Sequence, residues 1–300
     1  MKSVLVVGDI MLDKYTFGKV RRISPEAPVP VLLHTEEKYS LGGAGNVARN
    51  LSSLGLKVYL CGVIGKDPEG ELIQELLQKR GIYFEGKISG TTIVKHRFID
   101  TRSGNQLLRL DREQYIKTQL SQIPHDSFDA VVISDYGKGT VRKELVDKVR
   151  NLAPLVLVDP FPYNIELYKG ATVLTPNELE AREALCRKFR KLSVEEVGKK
   201  ICELCSCSVI ITMGQNGCMI VQNQKKHEMI HIAAQEVEVV DVAGAGDTFI
   251  AVLCYGLLQG LDLEEAAIIS TDAATVTVQK RGVATLTLEE VKEYFRGISS

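Results

Sequence analysis

The sequence predicts an α/β fold with a mainly parallel sheet and crossover helices, on three observations. From Phe128 onward, short apolar runs alternate with helical patterns: 130–134, a helix over about 142–151, then 156–158 and 172–175. Each strand ends in a polar cluster, Ser134-Asp-Tyr-Gly-Lys-Gly139, Asp159-Pro160 and Thr175-Pro-Asn-Glu-Leu-Glu180, which is the edge where ligands sit in such sheets. The third is the stretch 236–250, which reads as strand, tight turn and helix. Val237, Val239 and Val240 give way to small residues, then Phe249, Ile250, Leu253 and Leu257 resume at helical spacing.

A chain of 300 residues, 45% hydrophobic and 25% charged, can bury a sizeable core as one large domain or two smaller ones. Its net charge of −1 argues against a broad nucleic-acid or membrane footprint, so the expected ligand is small. The opening Met1-Lys-Ser-Val-Leu-Val-Val-Gly8 is too short for a membrane span and lacks a cleavage site of small residues. It reads as a first buried strand, with a cytoplasmic location expected.

That strand ends in Gly8-Asp9, with Asp13 four residues on; both acids fall near a strand's carboxyl edge, fit either to grip sugar hydroxyls or to cap a turn. From 15 to 39, Pro25, Pro28 and Pro30 argue against a helix, and 29–34 offers at most an edge strand of an excursion from the main sheet. Leu41-Gly-Gly-Ala-Gly-Asn-Val-Ala48 opens a helix with Val47, Leu51 and Leu54 on one face. Gly42, Gly43 and Asn46 there either admit a polyol or pack the helix closely on the sheet. A strand over 58–64 and a helix carrying Leu72, Ile73, Leu76 and Leu77 follow. Residues 91–111 then alternate: Lys95 and Arg97 share one strand face, and Arg109 and Asp111 repeat the spacing on a neighbouring stretch. That face is an anion site or a solvated surface.

In the second half, Asn177 and Glu180 stand three apart at a helix start. They suit either a magnesium ion held through its waters or a capping box. Cys202, Cys205 and Cys207 lack a second Cys-x-x-Cys to complete a zinc site and read as buried thiols at a helix end. Thr212-Met-Gly-Gln-Asn-Gly217 ends a strand in a loop open enough to lie over a nucleotide, with Thr212, Gly214 and Gly217 as contacts. Helices on Ala266, Ala267, Ile269 and Ala273, and on Val291 and Tyr294, close the chain.

The turn Ala243-Gly244-Ala245-Gly246 leaves no bulk over a helix N-terminus, so its unpaired N–H groups and positive dipole end can face a phosphate. A carboxylate beside such a site, Asp247, makes sense as a base that takes the proton of an attacking hydroxyl; the plainer reading is a first-turn capping acid. No lysine follows Gly246, as a P-loop needs, and Phe249 stands where a dinucleotide fingerprint needs a small residue. The reaction expected is phosphoryl transfer to an alcohol.

Taken together, Gly42-Gly-Ala-Gly-Asn46, Asn177-x-x-Glu180 and Asp241-Val-Ala-Gly-Ala-Gly-Asp-Thr248 resemble, in order and spacing, the ribokinase-like (PfkB) carbohydrate kinases, over about 2–296. Arg22-Ile-Ser-Pro-Glu-Ala-Pro-Val-Pro-Val31 and Ser134–Gly139 are most similar to the D-glycero-β-D-manno-heptose 7-phosphate kinases among them. The resemblance implies one kinase domain over 1–300, a three-layer αβα, Rossmann-like core with a small β-sheet lid from about 14–39 and 88–112. It implies ATP as donor and Mg2+. Asp247 would be the base, with the backbone of Ala243, Gly244, Ala245 and Gly246 as the anion hole beside ATP. Asn177 and Glu180 would organise magnesium, and Asp241 is the candidate for a monovalent cation such as K+. Asp13, Gly42, Gly43 and Asn46 would meet the sugar, with Asp135 and Arg109 as further substrate contacts; Lys95 and Arg97 are the candidates for its phosphate from charge and spacing.

The implied product is a heptose 1,7-bisphosphate, a step toward ADP-heptose for bacterial surface glycans such as lipopolysaccharide. Phe161 departs from the lysine many relatives carry after Asp-Pro, and Val283 stands where Gly-Thr is usual. Bifunctional relatives add a C-terminal nucleotidyltransferase domain; here the chain is expected to stop at the phosphorylated sugar. Within enzymes the alternative is another sugar kinase of this fold, and outside them a silent sugar- or nucleotide-binding protein. The expected partners are a sugar phosphate, ATP and a second copy of the chain through the lid edge, with no nucleic acid and no membrane.

Overall fold

The computed structural model describes residues 1–120, 123, 127–185, 191–223, 228–280, 282 and 286–291. The apolar runs form β1 (Ser3–Gly8), β4 (Lys57–Cys61), β6 (Tyr83–Phe84), β10 (Ala130–Ser134), β11 (Leu155–Asp159), β12 (Val173–Leu174), β13 (Ser208–Thr212), β14 (Cys218–Val221) and β15 (Met229–Ile232). They pair into one nine-stranded sheet in the order β15-β14-β13-β12-β11-β10-β1-β4-β6. Pairing is parallel from β13 through β6 and antiparallel only where β14 and β15 finish the edge.

Strands buried on both faces need no polar alternation, which is why they read as continuous apolar runs. Val4, Val6, Val132, Leu157 and Ile210 face α1 (Ala44–Ser53), α2 (Pro68–Gln78), α6 (Ala245–Leu258) and α7 (Leu263–Val278). Leu5, Val7, Val131, Val158 and Ile211 face α3 (Lys143–Val149), α4 (Glu178–Ala184) and α5 (Val194–Cys205). Helix, sheet and helix make the three layers expected, with each fully buried Leu, Ile or Val contributing about 1.5–3 kcal/mol. Cys202, Cys205 and Cys207 lie in the second of these cores, at and just past the end of α5, as read from sequence. No described helix is long and apolar enough to cross a membrane.

A second sheet, in the order β3-β2-β8-β9, is built from β2 (Ile10–Ile23), β3 (Pro30–Gly43), β8 (Ile93–Asp100) and β9 (Gln106–Arg112). The sequence reading of a single edge strand over 29–34 is corrected here: two strands of 14 residues flank the prolines. Pro25 and Pro28 sit in the intervening turn and Pro30 opens the edge strand β3, so no ladder hydrogen bond is lost to them. The short pair β5 (Val63–Ile64) and β7 (Lys87–Ile88) lies apart from both sheets.

Two further expectations change. Residues 233–241 form no strand, although their valines alternate with Glu236 and Glu238. β15 already ends the sheet, and this segment runs instead along the end of α7, where Val240 N and Asp241 N both donate to the Val278 carbonyl at 2.8 and 3.1 Å. Asp9 does not face a ligand. It is fully buried and accepts from the N–H groups of Tyr136, Lys138 and Thr140 at 2.9, 2.9 and 3.1 Å, tying the loop after β10 to the end of β1. Residues 288–291 are helical with Val291 buried, while Tyr294 and Val283 lie outside the described residues.

Candidate active site

The site forms at the carboxyl ends of β1 and β10, where the strand order reverses, with the second sheet on one side and the first turn of α6 on the other. Gly244 caps α6 with φ 80°, a left-handed turn that a side chain would strain, and no side chain closes the helix end. Among the described residues, the N–H groups of Gly246 and Asp247 find no acceptor, whereas Ala245 N reaches Val242 O at 3.3 Å and Thr248 N reaches Gly244 O at 3.0 Å. A Cβ at Gly246 would meet no atom within 4 Å, so the turn opens onto space.

Asp247 sits inside this turn, 5% exposed. Asn46 Nδ2 donates to its Oδ2 at 2.7 Å and the Tyr136 hydroxyl donates to its Oδ1 at 2.9 Å. Burial pushes its pKa up from 3.8 to about 6; these two donors pull it down, the Asp13 charge raises it and Arg49 lowers it. The carboxylate is thus ionised at neutral pH yet basic enough to take a proton.

Asn46, expected at the sugar, is also a partner of Asp247, with Asn50 Nδ2 approaching its Oδ1 at 3.4 Å so that its amide nitrogen faces the carboxylate. Gly42 and Gly43 stand beside it at the end of β3. A Cβ on Gly42 would collide with the Asp13 carboxylate, and Gly43, at φ 55°, would collide with the Asp9 carbonyl. Asp13 itself lies on β2 in the second sheet, 5% exposed, and pairs with the Arg97 guanidinium.

Asp13, Lys95 and Asp111 are in register across β2, β8 and β9, as are Tyr15, Arg97 and Arg109, so these side chains share one face of the second sheet. Lys95 Nζ stands 5.3 Å from the centre of the Tyr136 ring and makes no ion pair among the described residues. Arg109 is half exposed and held side-on by Asp111, at 2.9 Å from Nε and 2.7 Å from Nη2, which leaves it little reach as a substrate contact. The expectation that Asp135 meets substrate also finds no support. Its carboxylate is buried and taken by Tyr168, Asn164 Nδ2 at 2.8 Å and Gly137 N at 2.8 Å, binding the 3-10 turn Pro162–Tyr168 to β10.

On the far side of α6 a cavity of about 560 Å³ opens between Thr212, Gly214, Gly217, the 234–242 segment, Gly246 and α7. Thr212, Gly214, Gly217 and Gly246 line it as expected, with Val237, Val239, Phe249 and Val278 as apolar walls; Ala243 and Gly244 are not in its lining. Asn177 and Glu180 form a complete capping box on α4, with Glu180 N donating to Asn177 Oδ1 at 2.9 Å and Asn177 N to Glu180 Oε2 at 2.8 Å. That is the plain reading of the pair. Burial raises the Glu180 pKa, and burial followed by the Glu180, Asp247 and Asp135 charges raises that of Asp159 well above the carboxylate range. No described group of three or more His, Cys, Asp or Glu is placed as a direct metal cage. Asp241 accepts from Ala243 N at 2.9 Å and Gly282 N at 3.0 Å, bracing the turn before α6. Phe161, the departure from lysine, packs against Gly137 and lies 5.3 Å from the Tyr163 ring.

Tyr136 is the residue that sequence reasoning missed, although it lay inside the quoted cluster 134–139. Asp135 carries the charge there, and nothing local shows which of the two neighbours meets Asp247.

A model of the pfkB family carbohydrate kinases matches residues 1–290. The bifunctional protein HldE of Nitratiruptor sp. is 39% identical over 98% of this chain and 65% of its own length, and that of Pasteurella multocida 37% over 99% and 64%. The chain thus spans less than two thirds of the length of these curated relatives. Among solved structures, ribokinase from Thermotoga maritima superposes with a TM-score of 0.78 at 25% identity, covering 99% of this chain and 100% of the other. Phosphofructokinase-2 from Escherichia coli superposes at 0.80 with 18% identity over the whole of both chains, a likeness of fold. A helix N-terminus open to an anion with a buried carboxylate in its first turn suits phosphoryl transfer to an alcohol, and the chain belongs to the pfkB family and is an ATP-dependent carbohydrate kinase.

Proposed function

We propose that this kinase acts on D-glycero-β-D-manno-heptose 7-phosphate, moving the ATP γ-phosphate to its C1 hydroxyl to give the 1,7-bisphosphate on the way to ADP-heptose. The observation that carries the chemistry is Asp247: a buried base with pKa about 6, set between a helix N-terminus and the cation-bearing face of the second sheet. The heptose reading draws support from the 22–31 segment and from relatives named HldE that match nearly the whole chain.

The C1 oxygen attacks the γ-phosphorus, the bond to the β,γ-bridging oxygen breaks, ADP leaves, and the hydroxyl proton passes to Asp247. Each Asp247 oxygen has one fixed donor and a lone pair to spare for that proton. The free N–H groups of Gly246 and Asp247 take the charge that grows on the transferring phosphoryl oxygens. Residues fit magnesium through its waters: Asp159 and Glu180 are carboxyl groups close enough to raise the Asp159 pKa, with no cation beside them among the described residues. When bound, the ion supplies neutralisation of the ATP phosphates. Thr212, Gly214, Gly217 and the valine wall hold the nucleotide. Asp13 meets the sugar, and Lys95, with Arg97 steadied by Asp13, meets its 7-phosphate. The second sheet acts as a lid that keeps water from the γ-phosphate. Asp241 remains the candidate for a K+-dependent step, tested by the rate in KCl against choline chloride.

ADP release from Mg-ATP against heptose 7-phosphate, sedoheptulose 7-phosphate, fructose 6-phosphate and ribose tests the substrate. A preference of at least about tenfold for heptose 7-phosphate supports the reading; preference for ribose overturns the phosphate subsite. Leu108 and Leu110, exposed on the edge strand β9, support pairing of two copies through this sheet. Light scattering that shows a monomer at working concentration would overturn it.

A further inference from the structure

We infer that Tyr136 is a positioning residue of this kinase: its hydroxyl fixes one oxygen of Asp247 while its ring is held beneath the Lys95 ammonium of the second sheet. The inference rests on the reading of Asp247 as the base. The backbone that presents Tyr136 is built to do so. Asp9 holds the N–H groups of Tyr136 and Lys138, both at 2.9 Å, and Gly137 turns the chain at φ 70° with its N–H on Asp135. The Phe161 ring closes over Gly137, where a Cβ would come within 2.6 Å of it. On the other side, the space over Gly43 is bounded by Tyr136 Cε2, 3.5 Å from where a Cβ would stand. Turn and ring are both clamped, so the hydroxyl has one place to go.

A carboxylate with one fixed donor on each oxygen is held against rotation, and each oxygen keeps a lone pair for the incoming proton. The charged groups facing Asp247 are mixed: Asp13 from β2 disfavours its ionised form and Arg49 from α1 favours it, while Asp159 from β11 has its own pKa raised by the Asp247 charge. Against burial and the Asp13 charge, the two neutral donors Asn46 and Tyr136 hold the base ionised and oriented. Burial keeps the Tyr136 phenol well above its usual range, so it stays a donor throughout the working pH range.

Tyr136→Phe removes the oxygen and keeps the ring. Expected are a fall in kcat of about tenfold at pH 7.5, an unchanged KM for ATP, and an acid limb of the kcat–pH profile displaced upward by about one unit. Incorporating 3-fluorotyrosine at position 136, a stronger donor of nearly the same size, should displace that limb downward, and this arm holds even if the phenylalanine variant folds poorly. A residue that only packs would lower the melting temperature without moving the limb. Asp247→Asn is measured in parallel. If it retains turnover, the base reading fails and this inference with it; if it is inactive while neither change at 136 moves the limb, the base stands and the role of Tyr136 is overturned.

Discussion

Replacing Asp247 with asparagine separates what the carboxylate does for the reaction from what it costs the fold. The side chain is all but sealed from water, and burial carries its pKa from 3.8 to about 6. An acid whose folded pKa is raised binds its proton more tightly folded than unfolded. Stability is therefore highest below the unfolded value, falls as pH rises from about 4 to about 6, and stays at the lower level above that. At about 1.4 kcal/mol per unit, the gap of roughly two units corresponds to a destabilisation on the order of 3 kcal/mol at neutral pH. Asparagine keeps both contacts in kind: its oxygen accepts from Asn46 Nδ2, and its amide donates to the Tyr136 oxygen, which accepts as well as donates. The variant should melt several degrees higher at pH 7.5, with the gain shrinking toward pH 4, while turnover drops roughly 10²–10⁴-fold for want of a base. Calorimetry at the two pH values, beside an ADP-release assay, reads both effects. Wild-type turnover removes the base assignment, and an unchanged or lower melting temperature at pH 7.5 refutes the desolvation reasoning.

Lys95→Ala should raise KM for the sugar phosphate about 10–100-fold, the worth of one charge-assisted contact, and leave KM for ATP alone; steady-state kinetics showing no change would place the phosphate elsewhere. Gly246→Ala adds a methyl that meets no protein atom and improves helix propensity by about 1 kcal/mol, so the melting temperature should hold or rise. Its methyl stands in the turn that faces the phosphate, so ATP turnover should nonetheless fall several-fold, and wild-type kinetics would argue against an anion site there. Glu180→Gln preserves the cap, because glutamine Oε accepts from Asn177 N as the carboxylate does, but removes the charge. The Mg2+ concentration for half-maximal rate should rise several-fold at constant melting temperature; an unchanged requirement assigns Glu180 to the cap alone.

The elements that sequence alone determined are those whose signal is local. β1, β10, β11 and β13 are short apolar runs between polar ends, α1 opens at Gly42-Gly-Ala-Gly, and α6 starts at the Gly244 turn with its carboxylate in place. Glycine at φ 80° and a base in the first helical turn are requirements of one peptide segment, so one segment displays them. The long strands β2 and β3 were hidden because prolines in a turn look the same, in sequence, as prolines within a strand. The valines of 236–240 misled in the opposite way: strand propensity is satisfied only where a partner edge is free, and β15 already ends the sheet. The partners of the base were decided by tertiary structure alone. Asn46 and Tyr136 lie 201 and 111 residues from Asp247, and Arg97 meets Asp13 across 84. Whether an asparagine reaches a distant carboxylate, or which of two neighbours in Asp135-Tyr136 meets the base, depends on hydrogen-bond partners that only the packed sheet brings within 3 Å, and no pattern along the chain encodes that distance.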